Sequence, residues 1–187
     1  MKFDIYITHS AEAEAPKEKE SDSLRILSPI GIQQAKMRAR YFTENKVVFD
    51  LAFCSPTVRS TLTAQHILAN CPNNVVLPKT IHSLSPNEHN AVSYVLKNVE
   101  NVALETYKGT PQSEIIRTYA QKCAEAIIGE VYEAAPDRTE ATLLIVGDGV
   151  LLNHIALWFC DTRTDQPNRC LEQILKPAGF LHASNMV

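Results

Sequence analysis

The sequence predicts an α/β fold, a three-layer αβα sandwich around a mostly parallel sheet, and three observations point to it. Short β-rich apolar runs alternate with helix-period segments along nearly the whole chain. The segments between the runs are long enough for the crossovers that parallel strands need. The 187 residues are 45% hydrophobic, enough for one sizeable core and too apolar for global disorder. A single domain over residues 1–187 is expected, since no repeat, low-complexity stretch or linker divides the chain.

The elements follow in order. Phe3 to Thr8 is apolar at alternate positions and reads as a strand. A polar stretch, Ala11 to Ser23, precedes a helix expected from about Pro29 to Asn45. There Ile32, Ala35, Ala39 and Phe42 recur at helical spacing and share one face. Ser28 and Pro29 supply its N-cap and first-turn proline. Val47 to Cys54 reads as the second strand, and Ser55-Pro56 opens a helix, capped by Ser55, that runs to about Ala69. Val75 to Leu77, or slightly further, is the third strand, and Glu88 to Asn98 is helical in pattern. A long helix is expected over Gln112 to Ala134, with Ile116, Tyr119, Cys123, Ile127 and Val131 as its apolar stripe. Thr142 to Val146 is a continuous apolar run ending at Gly147, the pattern of a buried strand. A helix through Trp158 and a last strand near Gly179 to Ala183 complete the series.

Composition excludes several function classes. Eighteen Lys and Arg against twenty-one Asp and Glu give a net charge of -3, without the basic face that gripping nucleic acid requires. The longest apolar runs, Leu143 to Val146 and Ile155 to Cys160, fall far short of the roughly 20 residues of a spanning helix. Neither nucleic acid nor membrane is expected as a partner. Five cysteines (Cys54, Cys71, Cys123, Cys160, Cys170) form no CxxC pair, and no secretory leader is visible, so a reducing cytoplasm is expected. The negative charge is localised. Between Ala11 and Ser23 five acids (Glu12, Glu14, Glu18, Glu20, Asp22) face two bases (Lys17, Lys19), while the remaining chain is neutral. Left to itself, such a segment reads as a mobile, solvated loop.

In parallel sheets ligands bind beyond the carboxyl ends of the strands. Three such ends here carry functional residue types: Thr8-His9-Ser10, Ser55 to Arg59, and Gly147-Asp148-Gly149. A helix N-terminus with Arg59 one turn in suits a phosphate-like anion, and His9 suits a nucleophile or a general acid or base.

The order and spacing of these runs resemble the histidine phosphatase superfamily, the phosphoglycerate mutase-like proteins. Ile5 to Ser10 stands where that family has a strand and Arg-His-Gly. Arg25-Ile-Leu-Ser-Pro-Ile-Gly-Ile-Gln-Gln-Ala35 is similar to its Arg-x-Leu-Thr-x-x-Gly-x-x-Gln-Ala stretch. Ser55 to Arg59 matches Ser-Pro-x-x-Arg, and Thr61 to Ala64 its continuation. Leu84-Ser85-Pro86 resembles a turn of the small phosphohistidine phosphatase-like branch, and Leu143 to Gly147 resembles the last catalytic strand. The resemblance spans roughly Lys2 to Ala183 and implies a phosphoglycerate mutase-like fold. It also implies phosphorylated substrates, a small molecule or a phosphoprotein, and no cofactor or metal. It assigns His9 as nucleophile and Arg59 as phosphate ligand, and it marks Glu88, after the third strand, as a candidate general acid.

Two of the family's four phosphate-facing residues are replaced. Thr8 stands for the motif arginine, with Ser10 for its glycine, and Asp148 stands for the second histidine. His154 is six positions on, inside the expected helix. The acidic segment from Ala11 to Ser23 begins two residues after His9, where the resembled family places a loop beside its pocket, which implies a pocket mouth unfriendly to anionic substrates. A carboxylate about 4 Å from a phosphate charge costs on the order of 4 kcal/mol at an effective dielectric near 20, roughly a thousandfold in rate. Protonation of Asp148 or pairing with Arg59 would reduce that cost, the second by occupying the remaining phosphate ligand. Three readings stay open: an impaired or inactive phosphatase with a residual anion site; an active phosphomonoesterase or phosphohistidine phosphatase using His9, Asp148 as acid/base, and Thr8 and Ser10 hydroxyls as phosphate donors; and a non-enzymatic interaction module, with the charged face of Gln112 to Ala134 as its surface.

Other chemistries lack their signatures. Four residues rather than five separate Cys54 from Arg59, so the cysteine-dependent phosphatase loop is absent. Val146 stands where the aspartate-nucleophile phosphatases need their aspartate. No GxSxG or GxxxxGK[ST] occurs, and His9 with Asp148 has no diagnostic metal spacing.

Overall fold

A computed structural model describes residues 2–16, 18, 21–72, 75–86, 91–98 and 111–163. Four strands, β1 (Lys2–His9), β2 (Leu51–Cys54), β3 (Lys79–Thr80) and β4 (Glu140–Gly147), form one all-parallel sheet in the order β1-β4-β2-β3. The helices α1 (Pro29–Glu44) and α2 (Val58–Ala69) cover one face, and α4 (Pro111–Ala134) and α5 (Gly149–Arg163) the other, with α3 (Ala91–Asn98) against α4. This is the expected αβα sandwich.

Strand β4 shows why the sheet is doubly covered. Leu143 and Ile145 pack among Ile127 and Val131 of α4 and Leu151 and Ile155 of α5. Leu144 and Val146, one residue out of phase, pack with Ala35, Ala39 and Phe42 of α1 and Ala64 and Ile67 of α2. Strand register is pinned at the amino end by Asp50, whose Oδ2 accepts from the Thr142 amide at 2.8 Å and whose own amide donates to the Thr142 carbonyl at 2.9 Å.

Three boundaries differ from the sequence expectation. Strand β2 begins at Leu51 and not Val47, because α1 ends in a tight reversal. Lys46 adopts φ 56°, and the Val47 amide donates back to the Phe42 carbonyl at 2.9 Å, so residues 45–47 close the helix. The third strand is Lys79–Thr80. Val75 and Leu77 are exposed outside the ladder, and Pro78, which has no amide hydrogen, stands before the pairing with Phe53 and Cys54. Helix α2 begins at Val58 with Thr57 at the N-cap, not Ser55, since the Ser55 hydroxyl is engaged elsewhere. The strand expected near Gly179 to Ala183 lies outside the described residues, as do Glu88 and Cys170. Among the described residues no helix is long and apolar enough to cross a membrane.

Candidate functional site

Strand register decides which residues meet. His9 is level with Gly147, and Cys54 with Val146, so Ser55 follows at the same height. The Ser10 amide donates to the Gly147 carbonyl and the Ser55 amide to the Val146 carbonyl, both at 2.9 Å, which carries the alignment past the strand ends. The runs after β1, β2 and β4 therefore converge on one edge.

Helix α2 presents Arg59 from a braced start. The Ser55 and Thr57 hydroxyls both donate to Ser60 Oγ, at 2.7 and 2.8 Å, and are 3.2 Å from each other. All three are buried, so their hydrogen bonds are made in a dry turn. One turn on, the Thr63 hydroxyl donates to the Arg59 carbonyl at 2.7 Å and accepts from the Ala11 amide at 2.9 Å, tying the segment after His9 to α2.

That segment is not loose where it is described. Ala13 bridges Leu27 in antiparallel fashion, the Glu14 amide donates to the Ile26 carbonyl, and the Glu12 amide donates to Gln34 Oε1, the last two at 2.9 Å. Ser28 caps α1 as expected, its Oγ accepting from the Gly31 amide at 3.0 Å and donating to Glu12 Oε1 at 2.8 Å. The solvated-loop expectation is corrected for residues 11–14: they are laid against the approach to α1.

The guanidinium of Arg59, 17% exposed, is held at both ends. Nη1 donates to Asp22 Oδ2 at 2.6 Å and Nη2 to Asp148 Oδ1 at 2.7 Å. Partial burial works against its charge, but the field and hydrogen bond of Asp148, together with Asp22, outweigh that and raise its pKa. Asp22 also accepts from Arg25 Nη1, through Oδ1 at 2.7 Å. Burial would raise its carboxyl, yet the hydrogen bonds from Arg25 and Arg59 prevail and hold it below the ordinary carboxylate range.

His9 lies against the first residue of α5. A Cβ on Gly149 would sit 2.6 Å from His9 Cε1 and 2.9 Å from Nδ1, a collision that only glycine avoids. The His9 carbonyl accepts from Arg38 Nη1 at 2.6 Å. Arg38 sits on the buried face of α1 and is 4% exposed, and burial brings its pKa down to about 10.

Of the residues singled out from sequence, His9, Ser10, Arg59 and Asp148 come together at the sheet edge. Thr8, level with Val146 just before them, is 1% exposed on the strand face it shares with Tyr6, with its hydroxyl 3.4 Å from the His9 carbonyl. Glu88 is not described. His154 is a buried residue of α5, its pKa lowered to about 4 by burial and then by Arg117, in keeping with a helix residue and not a relocated catalytic one. Sequence reasoning missed Arg38 as a site neighbour and did not bring Asp22 and Arg25 into contact with Arg59. Arg38 had a signal, an arginine within the stripe of Ala35, Ala39 and Phe42. Arg25 opens the family-like stretch and Asp22 belongs to the acidic segment, but nothing local pairs either with Arg59. No metal-binding cluster occurs among the described residues.

No protein-family model matches the chain, and no curated protein matches it in sequence. Solved structures do. A protein histidine phosphatase SixA complexed with tungstate superposes with a TM-score of 0.56 at 17% identity, over 86% of this chain and 78% of that one. The chain has the histidine phosphatase fold. A phosphoserine phosphatase from Entamoeba histolytica in complex with phosphoserine gives 0.54 at 19% identity, over 89% and 84% of the two chains. A mycobacterial glucosyl-3-phosphoglycerate phosphatase gives 0.55 at 11%, over 88% and 83%. On this histidine phosphatase fold, the edge that gathers His9, Arg59 and Asp148 is the carboxyl edge of the sheet.

Proposed function

We propose that this chain is an impaired histidine phosphatase-like protein. It has lost most or all phosphatase turnover and keeps a site at Arg59 for an oxyanion, borne by a phosphorylated small molecule or phosphoprotein. The observation that carries this reading is the double capture of Arg59 by Asp22 and Asp148. Phosphoryl transfer depends on positive charge and hydrogen-bond donors aimed at the oxygens that gain charge in the transition state. Here Arg59 is neutralised from both sides, and Asp148 offers a carboxylate where a donor is needed. An aspartate ion-paired with arginine accepts hydrogen bonds and donates none. Thr8, where the resembled family has an arginine, is buried and brings no positive charge. His9 keeps the position of a nucleophile, and Gly149 keeps room for its ring.

Related folds support the ligand class. One solved neighbour holds tungstate and another phosphoserine, and tungstate shares the tetrahedral oxyanion shape of phosphate. The test is turnover of p-nitrophenyl phosphate and of a phosphohistidine peptide by the full chain and by His9→Ala, from about pH 4 to about pH 8. Equal, background-level rates in both proteins are expected. Turnover by the wild type that disappears in His9→Ala would overturn the reading.

A further inference from the structure

The carboxylate of Asp22 is bound in the manner of a ligand. Each of its oxygens takes one guanidinium: Oδ1 accepts from Arg25 Nη1 at 2.7 Å and Oδ2 from Arg59 Nη1 at 2.6 Å. Two arginines converging on adjacent oxygens of one anion is how phosphoryl groups are gripped. Both guanidiniums also have a second anchor that does not involve the Asp22 carboxylate. Arg25 Nε donates to the Glu14 carbonyl at 2.8 Å, within the segment bridged to Leu27, and Arg59 Nη2 donates to Asp148 at 2.7 Å. If Asp22 withdraws, the pair stays oriented, its order already supplied by the fold.

Asp22 itself is lightly held. Its side chain is 60% exposed, and the single 3-10 turn it opens, Asp22–Leu24, buries no residue. An ion pair this exposed contributes little against water, while a phosphate monoester brings more charge and more acceptor oxygens to the same donors.

We propose that Arg25 and Arg59 together form a tetrahedral-oxyanion site whose resting occupant is the chain's own Asp22 carboxylate, and that a phosphoryl group binds there by exchanging with it. Arg25 becomes a ligand residue, and Asp22 an internal competitor that sets the threshold concentration for binding. This rests on the anion-site reading of Arg59 above and adds the second arginine and the exchange.

Isothermal titration of inorganic phosphate, and separately of tungstate, into the full-length wild type, Asp22→Asn, Arg25→Gln, Arg59→Gln and the double variant Asp22→Asn/Arg25→Gln tests it at constant ionic strength. Thermal melts confirm that each variant is folded. Asp22→Asn is expected to tighten both anions by up to about fivefold. Arg25→Gln is expected to weaken them, and the double variant to lose the gain. Unchanged affinity in Asp22→Asn, or indifference to Arg25→Gln, overturns the exchange. Binding that still requires Arg59 in that case leaves the anion-site reading intact, whereas binding indifferent to Arg59→Gln removes both. Turnover dependent on His9 bears on the loss of catalysis alone.

Discussion

At the scale of single residues, burial decides which titratable groups serve the site and which serve the core. His154 is 8% exposed within α5, and burial followed by the nearby Arg117 lowers its pKa from 6.5 to about 4. Between those values the unfolded chain takes up a proton that the folded chain refuses, so stability falls as pH drops from about 6.5 to about 4. A displacement of that size corresponds to about 3 kcal/mol at its full extent, an order-of-magnitude figure. His154→Gln should flatten this part of the profile in denaturant titrations at a series of pH values. An unchanged slope would mean that the ring charges without resistance in the native state. Asp22 works in the same direction at lower pH: its carboxyl is held down by two arginines, so its contribution is present above the ordinary aspartate range and lost as pH falls through the native value.

At the scale of elements, two glycines in helices carry opposite expectations. Gly31 opens α1 against the segment after β1, and a Cβ there would lie 2.0 Å from the Glu12 carbonyl oxygen. Backbone cannot move aside cheaply, so Gly31→Ala should destabilise by about 2 kcal/mol. Gly129 lies inside α4 with nothing within 4 Å of its would-be Cβ. Gly129→Ala should therefore stabilise by roughly 0.5–1 kcal/mol through helix propensity. Urea midpoints of the two variants measure both; an unchanged or raised midpoint in Gly31→Ala would contradict the close approach there, and a lowered one in Gly129→Ala the open space around Gly129. The contrast also shows what was legible beforehand. The stripe on α1, its Ser28 cap and the apolar run of β4 were readable because each is a local pattern of period and cap chemistry. The start of β2 and the placement of β3 were not. They depend on a left-handed Lys46 and on which residues come alongside a four-residue strand, and neither is written in local composition.

At the scale of the whole molecule, the α/β order alone puts His9, Arg59 and Asp148 at one sheet edge, since parallel strands end on the same side. The pairing of Asp148 with Arg59 appeared among the alternatives. The second carboxylate did not, because Asp22 and Arg59 are 37 residues apart and meet only when the acidic segment folds back along the approach to α1. The net charge of -3 thus has a structural address. Part of it neutralises the one arginine that the family pattern directs at a phosphate.

Removing both carboxylates from Arg59 tests most directly the proposal that this neutralisation silences the site. In Asp22→Asn/Asp148→His, the account predicts p-nitrophenyl phosphate turnover at least about a hundredfold above the wild type, since the Asp148 carboxylate beside the phosphoryl charge costs on the order of a few kcal/mol and Asp22 competes for Arg59. Adding His9→Ala should abolish the gain. A folded double variant that binds phosphate and remains as inactive as the wild type would contradict it.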